Sequence, residues 1–216
     1  MVVSSQKEFN LRFDYLGIID LEFSTWKGSQ KRNWSLEWEK QEVINIGALK
    51  FDKNFKKKLG EKSLFFKPKK KNVSLYFQNL TSIYQSKVNS FKLLNEEDMK
   101  SLNFFFKDTK FILSNGIDKI ILENDLKNRK IKKENFFFIK KIVNIKPFIS
   151  KILKVNPDKA VSSDLPKLAG VKENEVLRKH RAIDDVRALF LSLKELKKKG
   201  AFTEETLASF CEMNSE

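Results

Sequence analysis

Two carboxylate residues lie two positions apart in an apolar and aromatic stretch near the start of the chain. Asp20 and Glu22 stand within residues 13–25, FDYLGIIDLEFST, whose composition is typical of a buried β-strand. Side chains alternate between the two faces of a strand, so both carboxylates point the same way, with about 7 Å of backbone between them. Such a pair is costly to desolvate unless a cation neutralises it, although both acids could instead lie in solvent where the strand ends. This stretch alone leaves both interpretations open.

A third carboxylate follows a second apolar strand. Residues 110–114, KFILS, have the pattern of a compact strand, and the next three residues lead into a helix that begins at Asp118. An acidic residue at that position also stabilises the positive end of the helix dipole. Asp118 therefore has a structural interpretation beside a functional one.

The single histidine of the chain precedes another acid by five positions. In residues 179–187, KHRAIDDVR, His180 is predicted to begin the longest helix, which covers residues 180–199. Helical spacing places Asp185 on the stripe of apolar residues that continues along this helix, and Asp184 nearer the edge. A lone histidine is more often structural than catalytic. Five residues before an inward-facing acid, in a chain with three other candidate acids, His180 instead indicates a reactive site.

The elements that must position these residues predict an α/β domain with a mixed five-stranded central sheet flanked by helices. The predicted strands are residues 13–25, 41–51, 63–66, 110–114 and 136–145, with 73–77 as a further candidate. The predicted helices lie within residues 81–91, 95–106, 118–130, 147–154, 164–170, 180–199 and 203–213. The first strands form an antiparallel meander, and later strands join through helical crossovers, which brings the ends of the first strand and the 110–114 strand together.

Length and charge restrict the class of protein. At 216 residues the chain is predicted to form one domain, residues 1–216, with a core at about 13–199. The net charge of +15, from 43 Lys and Arg against 28 Asp and Glu, indicates a polyanionic partner, or else reflects solubility or coding bias. Nucleic acid is favoured over a membrane surface, because the chain has no long basic amphipathic helix with an aromatic face.

Cysteine and apolar content restrict the environment. Cys211 is the only cysteine, which excludes an internal disulfide and a sulfur-rich metal cluster, so a bound metal would be held mainly by oxygen. Residues 1–10 have no apolar leader, and no run of about 18 apolar residues occurs. The sequence therefore predicts a soluble protein of a reducing, cytoplasmic compartment.

The ordered set of acids and histidine resembles the DEDDh 3′–5′ exonucleases, also called DnaQ-like, of the ribonuclease-H-like fold. The matching motifs are DLE at 20–22, an aspartate that opens a helix after a strand at 118, and HRAIDD at 180–185. VINIGA at 43–48 resembles the family's second strand. LTSI at 80–83 and SNGID at 114–118 resemble the branch of small-RNA and histone-mRNA 3′-exonucleases and their bacterial relatives, and HRAIDD is also similar to oligoribonucleases. Ser82 replaces the usual glycine, and residues 56–77 match no part of the family pattern.

The resemblance implies a metal-dependent 3′–5′ exonuclease that hydrolyses single-stranded nucleic acid with a free 3′ end, RNA slightly before DNA, to nucleoside 5′-monophosphates. It implies two Mg²⁺ or Mn²⁺ ions, with Asp20 bridging both and His180 as the general base. Glu22 and Asp185 would complete the site of the ion that carries the attacking water, and Asp118 would support the second ion. The alternatives are a DNA-directed proofreading or degrading exonuclease, and a non-cleaving nucleic-acid-binding module on the same fold.

Substrate contacts are predicted less directly, and ordinary packing is the alternative for each. The candidates that would meet the terminal nucleotide are Phe23, Ser24, Thr25, Leu80, Thr81, Ile83 and Asn115. The lysine clusters at 56–58 and 69–71 could follow the phosphate backbone or form a solvated face. The three tryptophans, at 26, 34 and 38, could stack on unpaired bases or pack within their loop.

Overall fold

The computed structural model describes residues 14–69, 72–172 and 177–215. The predicted first residue of the leading strand, Phe13, and two residues of the second lysine cluster, Lys70 and Lys71, lie outside the described residues, as do residues 1–12 of the predicted domain. Within the described ranges, no helix has the length and apolar character needed to cross a bilayer.

Five strands form one mixed sheet. They are β1 (Tyr15–Phe23), β2 (Val43–Asp52), β3 (Lys58–Phe65), β4 (Thr109–Ser114) and β5 (Ile142–Asn144). Their order is β3-β2-β1-β4-β5, with antiparallel pairing between β1 and β2 and between β2 and β3, and parallel pairing between β1 and β4 and between β4 and β5. The predicted mixed five-stranded sheet is confirmed, and β1 is its central strand.

Helices cover both faces of the sheet. The described helices are α1 (Leu75–Thr81), α2 (Gln85–Val88), α3 (Glu96–Phe105), α4 (Asp118–Asn128), α5 (Phe137–Lys140), α6 (Lys146–Leu153), α7 (Leu165–Ala169), α8 (Ala182–Lys198) and α9 (Glu204–Met213). Leu16 and Ile18 of β1 pack in one apolar cluster with α8, whereas Ile19 and Leu21 pack in a second cluster with α3 and α4. The alternation of β1 thus assigns each side chain to one of the two cores.

Two predicted strands are wrong in part or whole. Residues 73–77 form no strand: helix α1 begins at Leu75, and the Ser74 side chain accepts the N–H of Phe77 and caps the helix. The predicted strand at 136–145 divides into helix α5 and the three-residue strand β5. A short apolar run fits a buried helix as well as a strand, and here the N–H of Phe138 bonds to Asn103 of α3.

The region that matched no family pattern, residues 56–77, contains the outer strand of the sheet. Strand β3 is longer than the predicted residues 63–66 and pairs along β2 from Phe51↔Lys58 to Asn45↔Phe65. Its second edge has no strand partner among the described residues. Glu61 of this strand accepts a hydrogen bond from Arg187 of α8.

Candidate active site

The register of β1 places two of the predicted acids on the face that α8 covers. Asp20 and Glu22 continue the row of Leu16 and Ile18, which pack under α8. In the pairing with β2, Asp20 lies opposite Gly47, and Glu22 lies opposite Asn45. Both carboxylates therefore point toward the beginning of α8, and neither simply runs out into solvent: Glu22 is 9% exposed, and Asp20 is partly buried.

Gly47 allows α8 to begin directly against the sheet. A Cβ atom at this position would lie 2.3 Å from the backbone carbonyl carbon and oxygen of Ala182, far inside van der Waals contact. The close approach of helix backbone to strand backbone is possible only without a side chain at Gly47. Because Asp20 is the register partner of Gly47, the first turn of α8 is held beside the β1 carboxylates.

Asp118 joins the site from the other side of β1. It is the first residue of α4, and its Oδ1 accepts the backbone N–H of Leu21 at 3.1 Å. Leu21 lies between the two acids of β1, so this bond fixes the Asp118 carboxylate beside them. The predicted meeting of the β1 end with the strand that precedes Asp118 agrees with the parallel β1–β4 pairing.

His180 does not lie in the helix. Helix α8 begins at Ala182, and His180 occupies the preceding turn with φ 56°, in the left-handed region. The prediction that His180 starts the helix is wrong, and so is the prediction that Asp184 lies nearer the edge, since Asp184 and Asp185 are both 7% exposed. The turn still delivers the imidazole, because Glu22, His180 and Asp185 each offer a ligand atom within 4.8 Å of the others.

Burial raises the pKa values of all four carboxylates, and neighbouring carboxylates add to the shift in three of them. For Asp20 and Glu22, burial first and then the neighbouring carboxylates hold the pKa well above its ordinary value. Burial raises the pKa of Asp118 to about 6 against the opposing bond from Leu21, and burial with the adjacent Asp184 charge raises the pKa of Asp185 to about 7. The metal-free cluster therefore binds protons more readily than free carboxylates do, and a bound cation would favour the ionised form instead.

The pKa of His180 shifts in the opposite direction. Burial, followed by the charge of Lys179, lowers the pKa of the imidazole, although Asp164 partly opposes this. A histidine with a lowered pKa is neutral at physiological pH and can accept a proton. The cluster thus places a neutral imidazole beside an oxygen-rich donor set, and such oxygen donors suit hard divalent cations such as Mg²⁺ or Mn²⁺.

The predicted substrate residues at the end of β1 are also bound to their own neighbours. The Ser24 hydroxyl donates to the carbonyl of Lys40 at 2.6 Å and accepts the N–H of Glu42 at 2.8 Å. The Phe23 ring lies 5.5 Å from that of Trp34, and the Thr25 carbonyl accepts the hydroxyl of Ser74. These contacts order the strand end and attach helix α1 to it.

The second group of predicted substrate residues lies in and after α1. Thr81 is buried, and its hydroxyl donates to Phe77 and accepts the N–H of Ile83, which is itself buried in a small apolar cluster. Leu80 is partly exposed. Ser82, at the position of the family's glycine, has φ 56°, the conformation that glycine adopts most easily.

Asn115 connects the end of β4 to the segment before α7. Its side-chain amide donates to the carbonyl of Ala160 at 2.8 Å and to the hydroxyl of Ser162 at 3.0 Å. Its Oδ1 is buried and has no hydrogen-bond partner within the described part of the chain. The contacts of Asn115 support that segment, so its predicted substrate contact would have to come from the remaining oxygen.

A cavity of about 210 Å³ opens beside the end of β1. Its lining residues include Ser24, Lys40 and Asn72, with the indoles of Trp26 and Trp38 along it. The two indoles meet edge to face at 5.2 Å, and Trp38 is 45% exposed. Trp26 and Trp38 therefore pack against each other, as one of the two interpretations predicted, and Trp38 leaves part of its ring exposed; stacking on a base stays a prediction.

Sequence reasoning missed three contributors to the site. Gly47 was part of a motif, but its contact with Ala182 depends on how the helix lies on the sheet. Arg187 binds Asp184, a pairing that the i, i+3 spacing on a helix could have indicated. Glu61 binds Arg187 across 126 residues of sequence, and no local signal predicts that contact.

Comparisons with known proteins agree with this arrangement. A family model described as RNase_T, exonuclease, matches residues 18–192. No curated protein sequence matches the chain significantly. Among solved structures, the nuclease domain of 3′hExo, a DEDDh family member, bound to rAMP aligns with a TM-score of 0.72 and 18% identity over 88% of this chain and 94% of that one.

Two further structures extend the comparison. A complex described as 3′-end specific recognition of histone mRNA stem-loop by 3′-exonuclease aligns with a TM-score of 0.71 and 18% identity over 88% of this chain and 84% of that one. Exonuclease X in complex with 5′ overhanging duplex DNA aligns with a TM-score of 0.56 and 14% identity over 91% of this chain and 99% of that one. These likenesses confirm the predicted ribonuclease-H-like fold.

Proposed function

The chain belongs to the exonuclease family whose model it matches, and on that premise we propose that it removes nucleoside 5′-monophosphates one at a time from the 3′ end of single-stranded nucleic acid, RNA before DNA. The predicted resemblance to DEDDh exonucleases and the predicted enzyme class are both confirmed. The observation that carries the proposal is the convergence of Glu22, His180 and Asp185 within 4.8 Å, beside Asp20 and Asp118.

The acids and the histidine of the cluster have different roles in this proposal. Asp20, Glu22, Asp118 and Asp185 would hold two Mg²⁺ or Mn²⁺ ions, which would supply charge neutralisation at the phosphate and lower the pKa of a water molecule. His180 would accept the proton of the attacking water as the water oxygen bonds to phosphorus and the P–O3′ bond breaks. The electron pair of that bond leaves with the 3′ oxygen of the shortened strand.

The proposed preference for RNA is supported by the solved structures to which this fold is similar. The solved structures with TM-scores of 0.72 and 0.71 are described with rAMP and with a histone mRNA stem-loop, whereas the complex described with duplex DNA aligns at 0.56. At 18% identity and below, this supports a preference and leaves the DNA-directed exonuclease as the second candidate. The cytoplasmic location stays a prediction.

We also propose that the tryptophan cavity receives a base of the bound strand. Ser24, which lines the cavity, follows Glu22 by two residues. Stacking of a base on an aromatic side chain contributes about 1–3 kcal/mol. Trp38→Ala should therefore raise KM for single-stranded RNA by about 5-fold or more with kcat unchanged. The matched control is Phe104→Ala, which removes another exposed aromatic ring, on α3. An equal change of KM in both variants would remove the cavity from the proposal.

The decisive experiment uses 5′-labelled single-stranded RNA and DNA of one sequence, with Mg²⁺, with Mn²⁺ or with EDTA. We expect a metal-dependent ladder that shortens from the 3′ end, faster on RNA. A substrate blocked by a 3′-phosphate is the matched control for the direction of cleavage. Tight binding without a ladder under any metal would contradict the exonuclease and support the non-cleaving module, and faster cleavage of DNA would support the DNA-directed enzyme.

A further inference from the structure

Three charged side chains outside the cluster of acids and histidine connect the edge strand β3 to α8. Arg187 of α8 donates from Nε and Nη2 to Oε2 of Glu61 on β3, at 3.0 and 2.6 Å. Its Nη1 donates to Oδ1 of Asp184 at 3.0 Å. Because a guanidinium is planar and donates in fixed directions, these bonds hold Asp184 in one orientation.

The second oxygen of Asp184 connects this chain to the turn that carries His180. Asp184 Oδ2 lies 3.4 Å from the backbone N–H of Arg178, two residues before His180. On the other side of the turn, the N–H of Asp184 donates to the carbonyl of Arg181 at 2.8 Å. The turn is therefore attached to Asp184 at both ends, and Asp184 is 7% exposed.

The backbone of His180 requires such support. A left-handed φ of 56° at a residue other than glycine is strained and persists only where the surroundings impose it. The carboxylate of Asp185 accepts the N–H of His180 and supplies one constraint from inside the site. Asp184 supplies the other from outside the site, through Arg187 and Glu61.

We propose that Glu61, Arg187 and Asp184 are positioning residues. They hold the turn of His180 so that the imidazole faces the carboxylates of the candidate active site. The inference rests on the proposed role of His180 as general base. It assigns a catalytic consequence to the outer strand β3, which contributes no residue to the cluster itself. A small displacement of a general base reduces the rate of the chemical step without weakening substrate binding.

The first test is Glu61→Gln, which removes the charge and keeps the shape of the side chain. We expect kcat to fall about 10-fold, with KM within twofold and a small change in Tm. The matched control is Glu212→Gln, which breaks the ion pair of Glu212 with Lys110 at 2.6 Å, with side chains exposed to a similar degree. The control should leave kcat unchanged. An unchanged kcat in Glu61→Gln, or an equal loss in both variants, would overturn the proposal.

A double-mutant cycle with His180→Ala separates positioning from general support of the fold. If Glu61 acts through His180, Glu61→Gln should cause no further loss in the His180→Ala background, measured in single turnover. An additive 10-fold loss would overturn the positioning role and leave the exonuclease proposal intact. A His180→Ala variant that cleaves at the wild-type rate would instead refute the role of His180, and the positioning proposal with it.

Discussion

At the residue scale, the site is a cluster of acids whose negative charges repel one another unless protons or cations neutralise them. Asp20 and Glu22 come from one strand, Asp118 and Asp185 from the first turns of two helices, and burial raises the pKa of each. The helix N-termini favour the ionised form of the latter two, but burial outweighs that effect. The metal-free protein is therefore less stable when these groups are ionised, which gives a direct test of the arrangement.

Asp185→Asn should stabilise the metal-free protein as it abolishes cleavage. A raised folded-state pKa contributes stability that is complete below the unfolded value, near 3.8, and is lost as pH rises through about 7. The neutral amide avoids that loss. At pH 8 we expect a gain of at most about 4 kcal/mol, at 1.36 kcal/mol per pKa unit, which shrinks toward pH 5. Thermal unfolding in EDTA at both pH values measures it, and saturating Mg²⁺ should remove the advantage. A variant less stable than wild type at pH 8 would contradict the raised pKa.

Ser82→Gly should stabilise the protein with little effect on cleavage. Ser82 ends α1 with φ 56° and ψ 25°, and its N–H donates to Gln78 at 2.9 Å, an interaction that glycine keeps. Release of the left-handed strain should raise the free energy of unfolding by up to about 1 kcal/mol, or Tm by about 2–4 °C. Ser86→Gly, in right-handed helix α2, should be destabilising. The expectation fails if both variants lose stability.

The residues of this site differ in how far sequence could reveal them. The spacing of His180 and Asp185 and the pair Asp20 and Glu22 stand out because chemistry constrains their types. The left-handed conformation of His180 could not be predicted, since histidine adopts it more often than most residues but still only rarely, and here the surrounding contacts impose it. Sequence also could not show that the hydroxyls of Ser24 and Thr81 donate hydrogen bonds to nearby backbone carbonyls.

At the element scale, the site depends on how closely α8 approaches β2. Gly47 permits backbone-to-backbone contact with Ala182, and the first turn of α8 carries Asp184 and Asp185. A shift of the helix start would move Asp185 and the His180 turn together. Hydrophobic periodicity predicted that α8 exists and which stripe is buried. The apolar runs at 73–77 and 136–145 lacked a clear period, and there the prediction of strands was wrong for the first run and only partly right for the second, which contains β5.

Gly47→Ala should reduce both stability and activity. The added Cβ would lie 2.3 Å from the Ala182 carbonyl, so the start of α8 must move outward. Overpacking of this kind costs about 1–3 kcal/mol, and we expect kcat to fall by at least about 10-fold with weaker Mg²⁺ binding. Calorimetric Mg²⁺ titration and single-turnover cleavage measure the two effects. Gly60→Ala, where the added atom meets only the Phe105 side chain at 3.1 Å, should keep Mg²⁺ affinity. Unchanged Mg²⁺ affinity in Gly47→Ala would contradict the role of this contact.

At the scale of the whole molecule, charge is distributed unevenly between the surface and the site. The net charge of +15 belongs to a chain whose buried cluster is acidic, so the surface is more basic than the total indicates. A polyanion would be attracted from a distance, and its reacting phosphate would then need cations to approach the acids. Amino-acid composition alone revealed the positive net charge. Pairings such as Glu61 with Arg187 depend on the complete fold, and composition does not carry them.

Binding of longer substrates should depend strongly on salt. If the protein contacts about four phosphates of a single strand, the slope of log affinity against log salt concentration is about −3. KM should then rise roughly 50-fold between 50 and 200 mM KCl. A dinucleotide, with one internucleotide phosphate, is the matched control and should change by only a few-fold. Initial rates at fixed Mg²⁺ measure both. Equal salt dependence for the two lengths would contradict binding along the basic surface.

The order in which the cluster residues occur along the chain has a consequence for folding. Strand β1 supplies its acids at positions 20 and 22, whereas the turn and first residues of α8 supply positions 180 and 185. During synthesis at about 5–20 residues per second, the residues of β1 emerge many seconds before the His180 turn and α8. The contacts with the largest sequence separation form late, because closing long loops is entropically costly. Catalysis is therefore among the last properties that the nascent chain acquires.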